Sequence, residues 1–225
     1  MLYNKTVNTI TAIWLLPYLL FLQYIVVTIS RVEFKVKVIT WNVNEIFPVS
    51  DIDSLVKIQE SPDFYAFTFQ EVNPKACTLS KNDDDWISLI SHYLWKNGYE
   101  IIERKSIKGS FTAVFARLSL MNEINHVKTS SKKTGHLGKV GNKGGTAVRF
   151  EYKNISLVFV GSHFHAHDDQ LEARIKDYYD IIDSITFNEF EAEYINDHDF
   201  VSWSGDLNFR IDTLSAEQIV TITKN

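Results

Sequence analysis

The chain alternates apolar stretches with polar turns in a pattern that predicts strands and helices in turn. Residues 33–45 first alternate apolar and polar side chains and then become almost wholly apolar, which is typical of a strand that enters a core. Residues 61–72 combine turn residues with an aromatic-rich strand that ends at Gln70 and Glu71. Further strands are predicted within residues 99–107, 110–118, 146–152, 155–164 and 199–211, with a hairpin turn at Lys153 and Asn154.

Segments with the periodicity of a helix lie between some of these strands. Residues 83–98 place apolar side chains at helical spacing, begin with acidic residues and end at Gly98. Residues 168–185 predict a second helix, with Asp168 or Asp169 as its N-cap. Strands that alternate with helices predict a layered α/β domain. Open sheets commonly place their sites at strand ends, and four polar residues hold such positions: Asn42, Glu71, His163 and Asp206.

A hydrophobic segment precedes the predicted domain. Residues 10–29 carry no charge and reach the length of about 20 residues that spans a bilayer. A transmembrane or signal-anchor helix is the favoured interpretation, and a cleaved signal peptide or a segment foreign to the domain are the alternatives. Basic residues that follow, such as Arg31 and Lys37, favour a membrane-associated protein with a cytoplasmic domain. We expect a hydrophobic N-terminal segment at residues 1–32 and a folded domain at residues 33–225.

Length and composition narrow the class of protein. The 225 residues suffice for one large domain with its own core. The net charge of −5 argues against a nucleic-acid partner, so a phosphate site would have to be built locally. The single cysteine, Cys77, excludes a disulfide framework and a cysteine-based zinc finger. It is followed by TLSKND, which excludes the Cys-x5-Arg phosphatase mechanism.

Three histidines alternate with other residues in GSHFHAHDDQ, residues 161–170. On a strand, His163, His165 and His167 would project from one face and could hold zinc. Zinc hydrolases with a related His-x-His-x-Asp-His segment need further ligands downstream, where His198 is the only histidine. We therefore favour one working histidine, with His165 and His167 at a strand end and a helix cap.

A basic, glycine-rich segment at residues 128–145 is predicted to be a loop. Its glycine spacing does not match the P-loop. Its backbone and Lys143 could still hold a phosphate, and a solvated basic loop is the alternative. A loop of this length inside a compact domain is usually functional or disordered.

The remaining polar strand ends suit metal and water chemistry. Asp206 and Asn208 follow a strand, and a carboxylate and an amide that face one centre suit water activation and phosphate contact. A polar turn is the alternative for this pair. Asn42 and Glu71 offer the oxygen ligands that Mg²⁺ prefers.

Five segments follow one another along the chain: TWNVN (40–44), FQEV (69–72), GNKGGTAVRF (141–150), SHFHAHDDQLEARIKDY (162–178) and DHDFVSWSGDLNFRI (197–211). Together they resemble the catalytic domain of the inositol polyphosphate 5-phosphatases, a branch of the DNase I-like endonuclease/exonuclease/phosphatase superfamily. The resemblance implies an α/β fold, a four-layer α/β/β/α sandwich. It also implies Mg²⁺-dependent removal of the 5-phosphate from phosphoinositide lipids or soluble inositol phosphates.

The resemblance implies which residues hold the metal and the substrate. Glu71 would be the principal Mg²⁺ ligand, assisted by Asn42. Asn142 and Lys143 would contact substrate phosphates. A metal ion and a lysine would neutralise the high charge of a phosphomonoester before attack.

The catalytic residues that the resemblance implies are His163, Asp206 and Asn208. His163 would act on the scissile phosphate, Asp206 would orient or deprotonate the attacking water, and Asn208 would contact the phosphate. Arg210 is expected to support the structure. The family segment Ser-His-Leu-Ala-Ala-His reads Ser-His-Phe-His-Ala-His here. The departure, His165, could sit at the pocket rim, and we expect it instead to be exposed and without a role.

Two family motifs, Trp-Cys-Asp-Arg and Ser-Asp-His, do not occur after the GDLN segment. The resemblance therefore implies a domain that is incomplete at its C-terminus, and we hypothesise that the 225-residue chain has little phosphatase activity. A nuclease of the same superfamily is disfavoured by the acidic net charge and by the GNKGG and GDLNFRI segments. A catalytically inactive, membrane-attached phosphoinositide-binding protein is the alternative function, and it would use the basic residues Lys132, Lys133, Lys139 and Lys143.

Overall fold

Two mixed β-sheets form the centre of the molecule. The computed structural model describes residues 21–29, 32–46, 51–72, 85–135, 141–188, 192–210 and 214–223. The strands of the first sheet are β1 (Phe21–Ile29), β2 (Val32–Asn42), β3 (Phe64–Gln70), β4 (Tyr99–Ile107) and β5 (Ser110–Arg117). They lie in the order β1-β2-β3-β5-β4, in which β2 and β3 are parallel and the other neighbours are antiparallel.

The second sheet has four strands within the described residues. They are β6 (Ile124–Lys133), β7 (Gly144–Tyr152), β8 (Ile155–His163) and β9 (Phe200–Asp206), in that spatial order. The predicted hairpin between β7 and β8 is confirmed, because Lys153 and Asn154 both adopt the positive φ angles that a tight two-residue turn requires. β8 and β9 are parallel, as β2 and β3 are in the first sheet.

The helices are α1 (Ile52–Val56), α2 (Asp85–Lys96), α3 (Leu171–Ser184) and α4 (Ala216–Thr223), and short 3-10 turns occupy Ile58–Glu60, Leu118–Glu123 and Ile195–Asp197. α2 packs on the outer face of the first sheet and α3 on the outer face of the second. α2 confirms the predicted helix. Trp86, Ile90 and Leu94 are buried along one of its faces, each four residues after the last. Gly98 follows the helix with a positive φ, the conformation that favours glycine after a helix.

Three apolar cores hold the layers together and confirm the predicted four-layer α/β/β/α sandwich. The first lies between α2 and the first sheet, where the rings of Trp86 and Phe69 are 5.3 Å apart. The second lies between the sheets, where Phe64 and Phe150 are also 5.3 Å apart. The third joins the second sheet to α3 through Ile181. β3 is buried along its whole length because both of its faces are covered.

The layer between the two sheets becomes small and polar toward one end. Thr68 of the first sheet and Ser204 of the second are joined by a 2.9 Å hydrogen bond between hydroxyls, and Thr112 and Thr146 by one of 2.7 Å. Gly161 lies beside them, and a Cβ at this position would lie 2.3 Å from the hydroxyl oxygen of Thr112. The sheets therefore approach closely here, near the carboxyl ends of β2, β3, β8 and β9.

The hydrophobic N-terminal segment contributes a strand to the first sheet. Phe21–Ile29 is β1, and it pairs with β2 so that Ile25 lies opposite Val36. The helix expected over residues 10–29 is therefore wrong for residues 21–29, whose backbone pairs with a sheet. Residues 1–20 lie outside the described part of the chain. Across the described ranges, no helix combines the length and the apolar character needed to cross a bilayer.

Much of the basic segment predicted as a loop is strand β6. This strand extends to Lys133 and pairs with β7, with Lys132 opposite Gly145. It lies at the edge of its sheet and keeps most of its side chains in contact with solvent, which explains why most of its residues are polar. The connection to β7 is reduced to residues 134–143, of which 136–140 lie outside the described residues.

Candidate active site

The four polar strand ends singled out in the sequence meet at one edge of the sandwich. Asn42 ends β2 and Glu71 follows β3, its parallel neighbour in the first sheet. His163 and Asp206 end the parallel strands β8 and β9 and lie directly opposite each other in the register. Each parallel pair brings its two carboxyl ends to the same edge, and the face-to-face packing of the sheets brings the two edges together.

The side-chain amide of Asn42 joins the two sheets at this edge. Its nitrogen Nδ2 donates to Oε1 of Glu71 and to Oδ2 of Asp206, each over 3.0 Å. Its oxygen Oδ1 accepts from the backbone N–H of Asn44 over 3.1 Å, which fixes the orientation of the amide. One amide therefore holds two carboxylates side by side, one from each sheet.

His163 is fully buried behind these carboxylates. Its Nε2 lies 3.7 Å from Oε1 of Glu71 and 3.6 Å from Oδ2 of Asp206, and 2.5 Å from the ammonium of Lys143. Burial, followed by the charge of Lys143, lowers the pKa of His163 to about 3 against the opposing pull of Asp206. The imidazole is therefore neutral at neutral pH, and Nε2 carries the lone pair that accepts from Lys143.

Lys143 is positioned by the short connection into β7. Its carbonyl accepts from the backbone N–H of Thr134 over 3.0 Å. The next residue, Gly144, has a positive φ, and a Cβ there would lie 2.2 Å from the carbonyl oxygen of Lys132. Burial lowers the pKa of Lys143, while Asp206 and Glu71 raise it. The cation thus enters the site beside both carboxylates.

The backbone turns sharply after β3 and aims the Glu71 carboxylate into the site. Glu71 adopts a φ of 54°, which is uncommon for a residue other than glycine. Hydrogen bonds on both sides hold it there: the N–H of Glu45 donates to its carbonyl over 2.7 Å, and the N–H of Val72 donates to the carbonyl of Gly109 over 3.1 Å. Strain that neighbouring bonds maintain in this way is typical of functional sites.

The paired carboxylates fit a hard divalent cation. The side chain of Glu71 is 30% exposed and that of Asp206 is 22% exposed, so their oxygens can be reached from solvent. Two carboxylates face one ammonium and a neutral imidazole, which leaves negative charge to be balanced. In the part of the chain that is described, no group of three or more His, Cys, Asp and Glu side chains is arranged to hold a metal. A cation here would rely on waters or a substrate for its remaining ligands.

Asn208 and Arg210 brace the segment after β9. The backbone N–H of Asn208 donates to Oδ1 of Asp206, and its side chain donates to the carbonyl of Phe164, each over 3.0 Å. The guanidinium of Arg210 donates to Oδ1 of Asn208 over 3.3 Å and lies 3.3 Å from a carboxylate oxygen of Asp168. Asn208 thus ties Asp206 to the segment that follows His163.

Asn142 lies at the margin of the cluster. It is partly exposed, and its Cβ lies 3.5 Å from the position that a Cβ on Gly109 would occupy. The carbonyl of Gly109 accepts a hydrogen bond from the backbone N–H of Val72, the residue after Glu71. Asn142 is therefore a neighbour of the cluster, while the structure brings five of the predicted residues directly together: Asn42, Glu71, Lys143, His163 and Asp206.

The three alternating histidines do not share a face, because β8 ends at His163. His165 directs Nδ1 at the carboxylate of Asp177 on α3, and His167 is exposed with a φ of 78°. The N-cap predicted at Asp168 or Asp169 is wrong: α3 begins at Leu171, Gln170 holds the cap position, and no side chain caps the helix there.

Two buried charged residues on α3 were not predicted from the sequence. Arg174 and Asp177 are each only 2% exposed, and both support the segment after His163. They lie three residues apart on the helix face that also buries Ile181. Charged residues at apolar positions of an amphipathic helix were the signal that could have revealed them.

Comparison with known proteins assigns the family. The model of endonuclease/exonuclease/phosphatase family 2 matches residues 39–225. The chain belongs to this family. Among curated proteins, the chain is similar to human phosphatidylinositol 4,5-bisphosphate 5-phosphatase A, which is 32% identical over 188 residues, covering 80% of this chain and 19% of the relative. Mouse inositol polyphosphate 5-phosphatase K is 30% identical over 184 residues, covering 79% of this chain and 39% of the relative.

Solved structures agree with the observed fold. The inositol polyphosphate 5-phosphatase domain of SPsynaptojanin, in complex with inositol (1,4)-bisphosphate and calcium ion, matches with a TM-score of 0.71 and 26% identity. The match covers 85% of this chain and 57% of that one. A Cimex nitrophorin shares the fold with a TM-score of 0.63 at 16% identity. The predicted resemblance to the 5-phosphatases and the DNase I-like sandwich are therefore confirmed.

Proposed function

We propose that the site hydrolyses a phosphomonoester and removes the 5-phosphate from a phosphorylated inositol. The observation that carries this proposal is the amide of Asn42, which holds Glu71 and Asp206 together beside buried His163 and partly buried Lys143. Carboxylates that bind a metal and position water, next to a cation and a neutral hydrogen-bonding ring, suit attack on a highly charged phosphate. Relatives named as inositol polyphosphate 5-phosphatases support the same reaction.

Mg²⁺ is the cation that we propose for this site. Glu71 would hold it through the carboxylate oxygen that is not bonded to Asn42, and Asn42 would assist by keeping both carboxylates in place. When bound, the ion would polarise the phosphoryl group and neutralise part of its charge. The calcium ion in the SPsynaptojanin complex supports a divalent cation in this fold.

The other residues of the site would bind the phosphate and activate the attacking water. Lys143 would pair with phosphate oxygens, and Asn142 would contact the substrate from the margin of the cluster. His163 would act on the scissile phosphate through Lys143, because its neutral ring accepts from that ammonium at Nε2 and holds it in the site. Asp206 would orient the attacking water and accept its proton, while Asn208 keeps Asp206 in position and contacts the phosphate.

Phosphoinositide lipids and soluble inositol phosphates are the proposed substrates. Lipid substrates would require the domain to act at a cytoplasmic membrane surface, so membrane association and a cytoplasmic catalytic domain belong to the same proposal. The expected boundary between residues 1–32 and 33–225 does not separate β1 from the domain, because Phe21–Ile29 pairs with β2 in the first sheet.

The test measures binding and turnover separately on the purified chain. Inositol 1,4,5-trisphosphate and vesicles with phosphatidylinositol 4,5-bisphosphate are offered with and without Mg²⁺, and binding and phosphate release are recorded. Asp206→Asn should leave binding in place and lower release by about 100-fold or more, because the water loses its base. Asp180→Asn is the control, since Asp180 lies on α3 and pairs with Lys176 in solvent.

The outcomes separate the proposed function from its alternatives. Mg²⁺-dependent release that only Asp206→Asn abolishes supports the proposal. Binding without release supports the inactive phosphoinositide-binding protein, and release at a low rate supports the hypothesis of weak activity. Failure to bind either probe would reject the proposed substrate class.

A further inference from the structure

α3 exposes most of its large apolar and aromatic side chains instead of burying them. Its buried face carries Arg174, Asp177 and Ile181, of which only the last is apolar. A stripe of exposed side chains runs beside this face and consists of Leu171, Ile175, Tyr178 and Tyr179. Amphipathic helices of globular domains normally turn such a stripe toward the core. An apolar patch left exposed in this way is typical of an interaction surface.

A pocket lies at the carboxyl-terminal end of the α3 stripe. It has a volume of about 430 Å³ and is lined by Tyr178, Tyr179, Ile182, Asp183, Tyr194 and Asn196. The first four of these residues belong to α3, and a bridge between Thr186 and Tyr194 closes the chain segment that follows the helix. The volume falls in the range of pockets that enclose a small ligand, so the α3 pocket can enclose one long side chain.

Ring packing and hydrogen bonds hold the walls of the α3 pocket in place. The ring of Tyr178 lies 5.2 Å from that of Trp203 on β9 and 5.3 Å from that of Tyr179. Nε1 of Trp203 donates to the hydroxyl of Ser162 over 3.0 Å, which fixes the indole. On the other side, the backbone N–H of Tyr194 donates over 2.8 Å to the carboxylate of Asp197. A ligand would therefore enter a pocket that is already formed.

The unpaired charge at the α3 pocket is negative. The carboxylate of Asp183 is exposed in the lining and forms no hydrogen bond or ion pair with the residues that the structure describes. Glu172 and Glu193 are exposed on the same side of the domain. The exposed basic residue of α3, Lys176, is already paired with Asp180 over 2.5 Å. A ligand that balances this charge would be a cation.

Tyrosine rings beside a carboxylate suit an arginine side chain. A guanidinium stacks on aromatic faces and donates to a carboxylate through its planar fork of N–H groups. A neutral side chain would leave Asp183 unpaired, and an anionic lipid surface would be repelled by it. The adjoining α3 stripe adds apolar surface that a single amino acid would not cover, and this favours a longer peptide segment.

We infer that the α3 pocket binds an arginine side chain of a partner protein, and that apolar residues of the same partner segment cover the α3 stripe. From Leu171 to Ile182 the helix rises about 16 Å, so an extended segment of about five residues matches the stripe and the pocket. The surface lies on the outer side of the second sheet. The inference therefore does not depend on the proposed function of the catalytic cluster.

Peptide titrations into the full chain, followed by NMR, test the inference. The first probe is a five-residue peptide with arginine at its centre and leucine at either end, and the second replaces arginine by its neutral analogue citrulline. N-acetyl-arginine amide is the third and lacks the apolar residues. Asp183→Asn removes the charge of the pocket and keeps its shape. Glu172→Gln is the matched control, because it removes an exposed carboxylate from the opposite end of the same helix.

The expected result is a loss of affinity that depends on both charge and apolar contact. Asp183→Asn should bind the arginine peptide about 3- to 10-fold more weakly than the unmodified chain, as should the unmodified chain with the citrulline peptide. Glu172→Gln should match the unmodified chain. The unmodified chain should bind the arginine peptide about 10-fold more tightly than N-acetyl-arginine amide, and Ile175→Ser should reduce this gain.

Several outcomes would overturn the inference. Equal affinity of the arginine and citrulline peptides, or of Asp183→Asn and the unmodified chain, excludes a cation in the pocket. Equal affinity of the arginine peptide and N-acetyl-arginine amide leaves a site for a small cation and excludes the partner segment. Binding to phosphatidylcholine vesicles that Asp183→Asn abolishes assigns the pocket to a lipid headgroup instead. A chain that binds none of the probes also overturns the inference, and the proposed function stands in every case.

Discussion

At the scale of single residues, the surroundings of each side chain in the site decide its charge. His163 would titrate near neutrality in water, yet burial beside Lys143 keeps it uncharged. Lys143 is partly buried, which lowers its pKa, and the two carboxylates oppose the loss of its charge. Asn42 is a neutral amide that keeps two like charges close without a cation between them. These charges suit a site that binds a metal ion and a phosphate group together.

Replacement of Asn42 by aspartate tests this arrangement without any turnover. Asn42→Asp would place a third carboxylate about 3 Å from Glu71 and Asp206, and like charges at this distance disfavour ionisation. We expect the free energy of unfolding to fall by roughly 1–3 kcal/mol at pH 7, and millimolar Mg²⁺ to restore more stability to the variant than to the unmodified chain. Thermal unfolding with and without Mg²⁺ measures both effects.

The control for this measurement is Asn44→Asp, which adds the same charge at an exposed position two residues away. Its stability and its response to Mg²⁺ should match those of the unmodified chain. An identical response to Mg²⁺ in all three proteins would argue against a cation site between the carboxylates.

At the scale of elements, the site depends on how closely the two sheets approach. β3 and β5 of the first sheet face β9 and β7 of the second through short hydroxyl side chains near the site. The glycine in β8 removes the one Cβ that would hold them apart. The carboxyl ends of the two parallel pairs can then share one cluster of side chains, as the bridge from Asn42 to Asp206 shows.

Substitution of Gly161 by alanine should push the sheets apart at the site. The new Cβ would lie 2.3 Å from the hydroxyl oxygen of Thr112 and 2.9 Å from a methyl carbon of Thr68. We expect a loss of about 1–3 kcal/mol of stability, the usual cost of overpacking a core. Urea denaturation measures it.

A double-mutant cycle shows whether that loss comes from the predicted clash. Thr112→Ala removes the nearest atom, so the combined variant should be less destabilised than the sum of the two single variants. Strict additivity of the two losses would place the effect of Gly161→Ala elsewhere.

At the scale of the whole molecule, buried histidines connect stability to pH. His198 is 6% exposed between the second sheet and the 3-10 turn before β9. It directs Nδ1 to the carbonyl of Tyr194 over 2.9 Å and accepts from Nε of Arg149 over 3.3 Å. Burial is the main cause that lowers the pKa of His198, and the guanidinium of Arg149 adds to it.

The lowered pKa of His198 sets the direction in which stability depends on pH. The unfolded chain binds a proton at His198 as the pH falls through about 6.5, while the folded chain does not, so the free energy of unfolding decreases on acidification. The effect is absent well above pH 6.5 and grows down to the lower pKa of the folded state. His198→Gln can replace both hydrogen bonds without titrating. It should make the slope shallower by up to about 1.4 kcal/mol per pH unit in that range.

Urea denaturation between pH 5 and pH 8 measures this slope. His92→Gln on α2 is the control, because His92 is exposed and its replacement should leave the slope unchanged. The same slope in His198→Gln as in the unmodified chain would show that His198 does not contribute to acid sensitivity.

The sequence by itself determined most of the elements and most of the candidate cluster. Apolar periodicity located the central strands and α2, and the polar residue at each strand end marked Asn42, Glu71, His163 and Asp206. These signals are local, because burial of a strand or of a helix face dictates which positions are apolar. The ordered motifs carried the family, which the match over residues 39–225 confirmed.

Only the tertiary structure decided how those residues act. The pairing of residues 21–29 with β2, the strand within the basic segment and the anchoring of His165 by Asp177 all depend on partners far away in the sequence or on another element. An apolar run has the same composition in a membrane helix and in a buried strand, so its partner decides its structure. In the same way, burial beside Lys143 keeps His163 neutral, and the end of β8 at His163 leaves His165 to pair with Asp177 on α3.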